Sequence, residues 1–372
     1  MVRWGEDKKI NRIVVKIGTS TLTKEDGSLD VEYVEDAARQ ISTLLKEGKE
    51  VIVVSSGAIG LGVKELGLKG LPRDIPMRQG AAAVGQSILI EAWREAFKKY
   101  GFKVAQLLLT YESFSNRRTY LNLRNSMSVL MKLKVVPIVN ENDPISIDEI
   151  EATFGDNDKL SALVASKVNA DLLVILTDVD GLYDKNPRHK DARLIPVVEE
   201  ITPEIERIGG RHGSWRTKGG MRTKIEAAKI AMKSNCDMVI ANAKKKDVIL
   251  RIVEGEEIGT LFKASKEGYR NRDRWIRFSL CNGKVEIDEG AKEALLKGGS
   301  LLPSGIIGVE GNFQAGDIVS IVCNGEEIAR GIVEYSSEEI RKIKGRHSHE
   351  IEKILGYKNY DNVIRSVNMV LI

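Results

Sequence analysis

The chain has 372 residues, of which 42% are hydrophobic and 30% charged, a composition typical of a globular protein. Because one hydrophobic core rarely keeps growing at this length, two domains are predicted. The formal net charge of +4 is unevenly divided, since residues 285–372 carry a net charge of −4 and the remainder carries +8. An electropositive N-terminal part suits a ligand that bears phosphate.

The sequence gives no indication of a membrane protein, a secreted protein or a metal-binding protein. No apolar run approaches the ~18–20 residues that span a bilayer, and MVRWGEDKKINR lacks the apolar stretch of a signal peptide. Cys236, Cys281 and Cys323 are widely separated and match no metal or redox spacing. His347 and His349 alone are too few to predict a metal site. We therefore expect a cytoplasmic protein without a membrane span.

The first 265 residues or so alternate between predicted strands and predicted helices. RIVVKIG, from residue 12, is a continuous apolar run, as expected for a parallel strand buried on both faces. Further strands are predicted at EVIVVSSGA, VAQLLLT, VVPIVNEND, DLLVILTD and DMVIANA, with helices near 31–45, 77–99, 116–133, 158–169 and 220–234. Repeated βαβ units predict a mainly parallel sheet with helices on both faces.

Polar clusters stand at four of the predicted strand ends. They are Gly18–Ser20, SSGAIG (55–60), NEND (140–143) and TDVDGLY (177–183). Ordinary turn chemistry accounts for any one of them. Because ligands of parallel sheets bind at the carboxyl ends of the strands, four such clusters together favour one shared site.

Two glycine-containing segments are candidate phosphate cradles. In VVKIGTSTLT, Lys16 precedes Gly18, and the following turn bares backbone N–H groups, although neither the G-x-x-x-x-G-K-[ST] nor the G-x-G-x-x-G spacing is present. The second segment, GGMRTKIEAAKIAMK, opens a predicted helix after a long loop (209–224) rich in glycine and cations. A second long loop is predicted at 144–158.

The pattern changes after about residue 275. Short β-like runs (GKVEID, GIIGVEG, DIVSIVC and EEIARGIVEY) are separated by glycine-containing turns. This pattern predicts a small β-rich domain. We therefore divide the chain into a larger domain, residues 1–275, and a smaller one, residues 280–372.

Taken in order, the landmarks resemble those of the glutamate 5-kinases, a branch of the amino-acid kinase family. They are VVKIGTS, VSSGAI, VPIVNEND, FGDNDKLSALVA, LLVILTDVDGLY and GGMRTKIEAA, followed by DEGAKEALLKGGSLLPSGI, GNF, GRHSHEI and ILGY. The resemblance implies a three-layer αβα amino-acid kinase fold with a mainly parallel central sheet, plus a small β-rich PUA-like C-terminal domain. It also implies ATP-dependent phosphorylation of the γ-carboxylate of L-glutamate, the first step of proline biosynthesis.

The resemblance also implies roles for particular residues. Three would be catalytic, with Asp158 organising the two lysines: Lys16, Lys224 and Asp158. Three would bind glutamate: Ser56, Asp143 and Asn157. The nucleotide would contact Lys16, Gly18, Thr19, Ser20, Thr177, Asp178, Lys218, Gly219, Gly220, Met221, Arg222, Thr223 and Lys224. Lys218 replaces the family's usual small hydroxyl residue, and its ammonium would face either nucleotide phosphate or solvent, of which we favour solvent.

Partners follow from the same resemblance. It implies L-glutamate and ATP as substrates, Mg²⁺ carried by ATP rather than by protein ligands, proline as a feedback inhibitor and a homodimer or homotetramer. An ionised γ-carboxylate needs no general base, so cations and in-line positioning would dominate the chemistry.

The alternative functions differ from this one in the substrate or in the class of protein. Kinases of N-acetylglutamate, aspartate or carbamate are disfavoured by the PUA-like segment, and Asp143 suits a free α-ammonium rather than an acetylated one. RNA binding is disfavoured by the negative charge of the C-terminal segment and by its lack of an obvious aromatic platform, although RKIKGR (341–346) is locally basic. After the kinase part, no room remains for the dehydrogenase domain of a bifunctional kinase–reductase.

Overall fold

The computed structural model describes residues 9–110, 112–115, 117–145, 157–187, 189, 191–211, 220–265, 273, 276–277 and 279–372. The chain divides into two compact units, Met1–Thr110 with Arg124–Gly268, and Tyr111–Leu123 with Tyr269–Ile372. The second unit thus includes residues 111–123, which our division at 275–280 assigns to the first domain. Most of the two long predicted loops, 144–158 and 209–224, lies outside the described residues.

An eight-stranded sheet forms the centre of the first unit. Its strands are β1 (Arg12–Ile17), β2 (Glu50–Ser55), β3 (Lys103–Leu109), β4 (Val135–Glu141), β5 (Leu172–Thr177), β6 (Val197–Val198), β7 (Asp237–Asn242) and β8 (Thr260–Phe262). Their order is β3-β4-β2-β1-β5-β7-β8-β6, and of the neighbouring pairs only β7 and β8 run antiparallel. The predicted mainly parallel α/β sheet is confirmed.

Helices lie between these strands along the chain. They are α1 (Thr19–Leu22), α2 (Val31–Lys46), α3 (Ala58–Glu65), α4 (Ile75–Lys98), α5 (Glu112–Ser115), α6 (Arg117–Lys132), α7 (Asn157–Val168), α8 (Pro203–Arg211), α9 (Met221–Lys233) and α10 (Val248–Val253). Helix α4 begins two residues earlier than predicted because the Asp74 side chain accepts a hydrogen bond from Met77 N–H and Pro76 lies in the first turn. Among the described helices, none is both long and apolar enough to cross a membrane.

Alternation along β1 divides its side chains between two helical layers. Ile13, Val15 and Ile17 share one core with residues of α2, α4 and α10. Successive side chains of a strand point to opposite faces, so Lys16 projects from the other face. Helices α7 and α9 pack together, and α7 contacts β1. The predicted burial of β1 on both faces is confirmed, since Ile13–Ile17 are all buried, and Lys16 is the charged residue among them.

The second unit contains a smaller sheet. Its strands are β9 (Gly283–Ile287), β10 (Ile306–Gly311), β11 (Ile318–Cys323), β12 (Glu326–Ile332) and β13 (Met369–Leu371), in the order β10-β9-β11-β12-β13, and it has helices α11 (Glu289–Leu296), α12 (Ser337–Ile343) and α13 (Ile351–Leu355). All pairs are antiparallel except β9 with β11. The predicted β-rich character is confirmed.

Helices α3 and α4 approach each other backbone to backbone. A Cβ atom built on Gly62 would lie 1.7 Å from the carbonyl oxygen of Ala81, and one on Gly85 would lie 1.8 Å from that of Ala58. Real Cβ atoms do not approach so closely, so glycine is required at both positions. This contact fixes the turn between β2 and α3 against α4.

We expect Gly85→Ala to destabilise the protein by about 1–3 kcal/mol or more, because the added methyl group must push the two helices apart. The urea midpoint of unfolding measures the change. Gly80→Ala in the same helix is the matched control, since a Cβ there meets nothing within 4 Å. That control should be neutral or should stabilise by roughly 0.5–1 kcal/mol. Equal midpoints for the two variants would refute the close approach.

Candidate active site

The candidate site lies at the carboxyl ends of the central strands of the first unit. Strands β1, β2 and β5 are neighbours, and β4 lies beyond β2. Lys16 is the penultimate residue of β1, Ser56 follows β2, Asn140 lies near the end of β4, and Thr177 ends β5. The four strand-end clusters seen in the sequence therefore meet at one edge of the sheet.

A carboxylate with two ammonium groups forms the centre of the site. Lys16 Nζ lies 2.6 Å from Asp158 Oδ1, and Lys224 Nζ lies 3.0 Å from Asp158 Oδ2. Asp158 is fully buried, and each lysine is only 5% exposed. Strand β1 supplies Lys16 from the face covered by α7 and α9, whose first turns supply Asp158 and Lys224. Three separate elements thus place three charges together, as the resemblance implies.

The electrostatics of this cluster keep Asp158 ionised. Burial by itself would raise the pKa of the carboxyl group, but Coulombic attraction to Lys16 and then to Lys224, together with their hydrogen bonds, lowers that pKa well below its ordinary value. Thr223 Oγ1 also donates a hydrogen bond to Asp158 Oδ2, over 3.0 Å. A permanent carboxylate therefore holds both ammonium groups in place.

The glycine turn after β1 is the beginning of a helix. Gly18 is the N-cap of the single-turn helix α1, and its carbonyl oxygen accepts hydrogen bonds from Thr21 and Leu22 N–H. The N–H groups of Thr19 and Ser20, the first two residues of the helix, have no acceptor within it. A Cβ on Gly18 would lie 3.5 Å from Lys16 Nζ, so the lysine ammonium lies beside this turn. Thr19 and Ser20 are exposed.

A network of side-chain amides lies beside the charged cluster. Asn157 Nδ2 donates to Ser56 Oγ (2.8 Å) and to Asn140 Oδ1 (2.9 Å), and Asn140 Nδ2 donates to Gln86 Oε1 (2.6 Å). Asn157 immediately precedes Asp158, so the start of α7 contributes to both groups. Asp143, which follows β4, is also buried. This second region is polar rather than cationic.

The structure brings together most of the residues singled out from the sequence. Thr177 Oγ1 donates to Asp178 Oδ1 (3.0 Å) at the end of β5, and Gly220 and Met221 stand at the beginning of α9. Arg222 instead lies on the surface of α9, with its side chain 78% exposed and paired with Glu226. Lys218 and Gly219 lie outside the described residues.

The sequence patterns did not indicate two residues of α4 near the site, Gln86 and Trp93. Gln86 is buried in α4, and Trp93 Nε1 donates to Ser55 Oγ (3.0 Å). Asn140 was noticed only as part of a cluster. The available signal was a glutamine at a buried, apolar-facing position of α4, but helical periodicity alone does not say which strand such a side chain meets.

The chain is similar to known proteins over most of its length. The pattern of the amino acid kinase family matches residues 11–242, and that of the PUA domain matches residues 283–355. The chain is 58% identical to "Glutamate 5-kinase" of Methanosarcina barkeri and 57% identical to that of Methanococcoides burtonii, each over 97% of this chain and 96% of the relative. A crystal structure of UMP kinase from Ureaplasma parvum is similar with a TM-score of 0.47 and 16% identity, covering 68% of this chain and 99% of that one.

The family pattern spans the eight-stranded sheet from β1 to β7, including Lys16, Asp158 and Lys224, and the PUA pattern covers most of the smaller sheet. With relatives that match it over nearly its whole length, the chain belongs to the amino acid kinase family and carries a C-terminal PUA domain.

Proposed function

We propose that the protein transfers the γ-phosphoryl group of ATP to the γ-carboxylate of L-glutamate, forming L-glutamyl 5-phosphate in the first step of proline biosynthesis. The observation that carries the proposal is the buried group of Lys16, Asp158 and Lys224, which lies beside a polar network at the carboxyl edge of the sheet. The relatives named as glutamate 5-kinases match 97% of the chain, and they supply the substrate.

The charged cluster suits the transferring phosphoryl group. Negative charge spreads over the phosphoryl oxygens during transfer, and preorganised cations stabilise that charge without having to reorganise. Lys16 is held by a strand and Lys224 by a helix, so both ammonium groups are fixed by rigid elements. The Gly18–Ser20 amides and the residues around Thr177, Asp178 and the start of α9 would hold the remaining phosphates and the nucleotide.

The polar region suits the amino acid. The γ-carboxylate of glutamate is ionised at neutral pH and can attack without a general base. Asp143 would accept hydrogen bonds from the α-ammonium, and Ser56 and Asn157 would also bind polar groups of the substrate. A carboxylate approaching an anionic phosphate is repelled, so the two lysines would also offset the repulsion between the reactants.

Further features rest on the resemblance alone and remain proposals. Mg²⁺ would enter with ATP and supply additional positive charge to its phosphates. From the same resemblance we propose inhibition by proline, assembly into a homodimer or homotetramer, and a cytoplasmic location. Lys218 and Gly219 would complete the nucleotide loop before α9.

The substrate can be identified by trapping the acyl phosphate. With ATP, Mg²⁺ and hydroxylamine, we expect L-glutamate to give γ-glutamyl hydroxamate, and N-acetylglutamate and aspartate to give little. The physical reason is that the Asp143 carboxylate favours a free α-ammonium. The ferric–hydroxamate absorbance measures the product. Equal turnover of N-acetylglutamate and glutamate would contradict the proposed substrate.

Lys16→Ala is expected to lower kcat by roughly 10²–10³-fold, which corresponds to about 2.7–4 kcal/mol, with only a modest rise in the KM for ATP. The ammonium would contribute most when charge develops in the transition state, whereas ground-state binding is shared with Lys224 and backbone amides. Steady-state kinetics measures both constants.

Lys24→Ala is the matched control, because Lys24 is an exposed lysine shortly after α1; it should leave kcat unchanged. Lys16→Arg should rescue poorly, since a planar guanidinium does not replace a compact ammonium beside the Gly18 turn. A folded Lys16→Ala protein with normal kcat would exclude the proposed role of Lys16.

Asp158→Asn should destabilise the ligand-free protein by about 3–5 kcal/mol at pH 7, because two buried ammonium groups lose the carboxylate between them. The wild-type advantage should be fully present above about pH 5 and should decrease below about pH 4. The sign follows from the lowered pKa of Asp158, since an unfolded chain takes up the proton first, near pH 3.9. Urea unfolding at several pH values measures the difference.

Asp191→Asn serves as the control, since Asp191 is an exposed carboxylate whose side chain is 69% exposed and pairs with Lys185. Exposed ion pairs contribute at most about 1 kcal/mol. If Asp158→Asn were as mild as this control at neutral pH, the carboxylate would not be required to hold the two lysines.

A further inference from the structure

Two buried amide atoms of the polar network have no hydrogen-bond partner within the described part of the chain. They are Nε2 of Gln86 and Oδ1 of Asn157. Gln86 is only 7% exposed, and its side chain reaches from α4 to Asn140 at the carboxyl end of β4. Buried polar atoms without partners are uncommon and costly, so each one calls for an explanation.

The backbone determines which amide atoms of the network have no hydrogen-bond partner. Glu141 N–H donates to Asn140 Oδ1 over 2.9 Å, and an N–H group can only donate, so this oxygen is the acceptor end of the Asn140 amide. Asn140 Nδ2 must then donate to Gln86 Oε1, and Asn157 Nδ2 must donate to Asn140 Oδ1. The network therefore ends in one free donor, on Gln86, and one free acceptor, on Asn157.

One donor and one acceptor at opposite ends of a rigid network match a zwitterion. A carboxylate accepts hydrogen bonds only, and an ammonium donates only. Both atoms are buried, and the backbone fixes which of them donates and which accepts, so a ligand here must present an acceptor to Gln86 and a donor to Asn157. The close packing of α3 on α4 at Gly62 and Gly85 holds the helix that carries Gln86, so the donor is positioned by a rigid element.

We propose that Gln86 is a substrate-binding residue that donates a hydrogen bond from Nε2 to a carboxylate oxygen of the amino-acid substrate. This inference rests on the proposed function, since it takes glutamate as the substrate. It adds a determinant on α4 to the residues Ser56, Asp143 and Asn157 that the sequence motifs indicated. The free Oδ1 of Asn157 can only accept a hydrogen bond, and it accepts one from the ammonium group of the substrate.

Two substitutions of Gln86 test the proposal. Gln86→Met removes both polar atoms at similar volume. Gln86→Glu keeps an acceptor for Asn140 Nδ2 but replaces the donor with an anionic oxygen. This variant still tests the proposal if the methionine variant does not fold. We expect each substitution to raise the KM and the calorimetric Kd for L-glutamate by roughly 10–150-fold, as for the loss of a hydrogen bond to a charged group. The KM for ATP should change less than about 2-fold.

Gln106→Met is the control, because Gln106 is an exposed residue of β3; its constants should equal those of the wild type. A Gln86→Glu protein that binds glutamate as tightly as the wild type would overturn the proposal, since the Nε2 donor would then contribute nothing to substrate binding. So would a Gln86→Met protein with a lower Tm and kcat but unchanged Kd for glutamate, which is the signature of a structural role.

The same measurements separate this inference from the proposed function. A wild-type protein that binds glutamate, but forms no hydroxamate from it, overturns the proposed reaction alone; the Kd values of the Gln86 variants still decide the role of Gln86. A wild-type protein that does not bind glutamate overturns both.

Discussion

The ionised carboxylate of Asp158 is the constraint on which the candidate site depends. Lys16 and Lys224 contact its two oxygens, so their ammonium groups lie less than about 8 Å apart. Without an anion between them they would repel by at least about 2 kcal/mol at an effective dielectric constant of about 20. Because the three residues come from β1, α7 and α9, the cluster also ties one face of the sheet to its two covering helices.

A second constraint acts from the opposite layer. Helix α4 packs against α3 at Gly62 and Gly85, and the same helix carries Gln86 into the amide network. The turn that holds Ser56 lies between β2 and α3, so it is fixed by this contact as well. The charged cluster and the polar network thus have different supports, and they meet at Asn157 and Asp158, the first two residues of α7.

Much of this arrangement could be predicted from the sequence, because its signals are local. Apolar runs predicted every strand of the large sheet except the short β6 and β8, and helical periodicity predicted α2, α4, α6, α7 and α9 but not the shorter helices. Polar strand ends pointed to one edge of the sheet. The pairing of Lys16 with Asp158 across 142 positions could not be derived that way. This pairing was implied by the resemblance to the glutamate 5-kinases. Gln86 could not be found, since its contact with Asn140 depends on which strand faces α4. Arg222, although inside a matching motif, turns to solvent.

The buried carboxylate also bears on how binding energy is used. Lysines already paired with Asp158 attract a ground-state phosphate less than free lysines would, because part of their field is cancelled. They nevertheless remain fixed in position, so under the proposed function they would stabilise the charge that develops during transfer without reorganising. Interactions that strengthen only in the transition state raise kcat, whereas uniformly stronger binding of ATP would lower KM alone. Under the proposed function, Asp158 would therefore exchange ground-state affinity for ATP for the positioning of two cations.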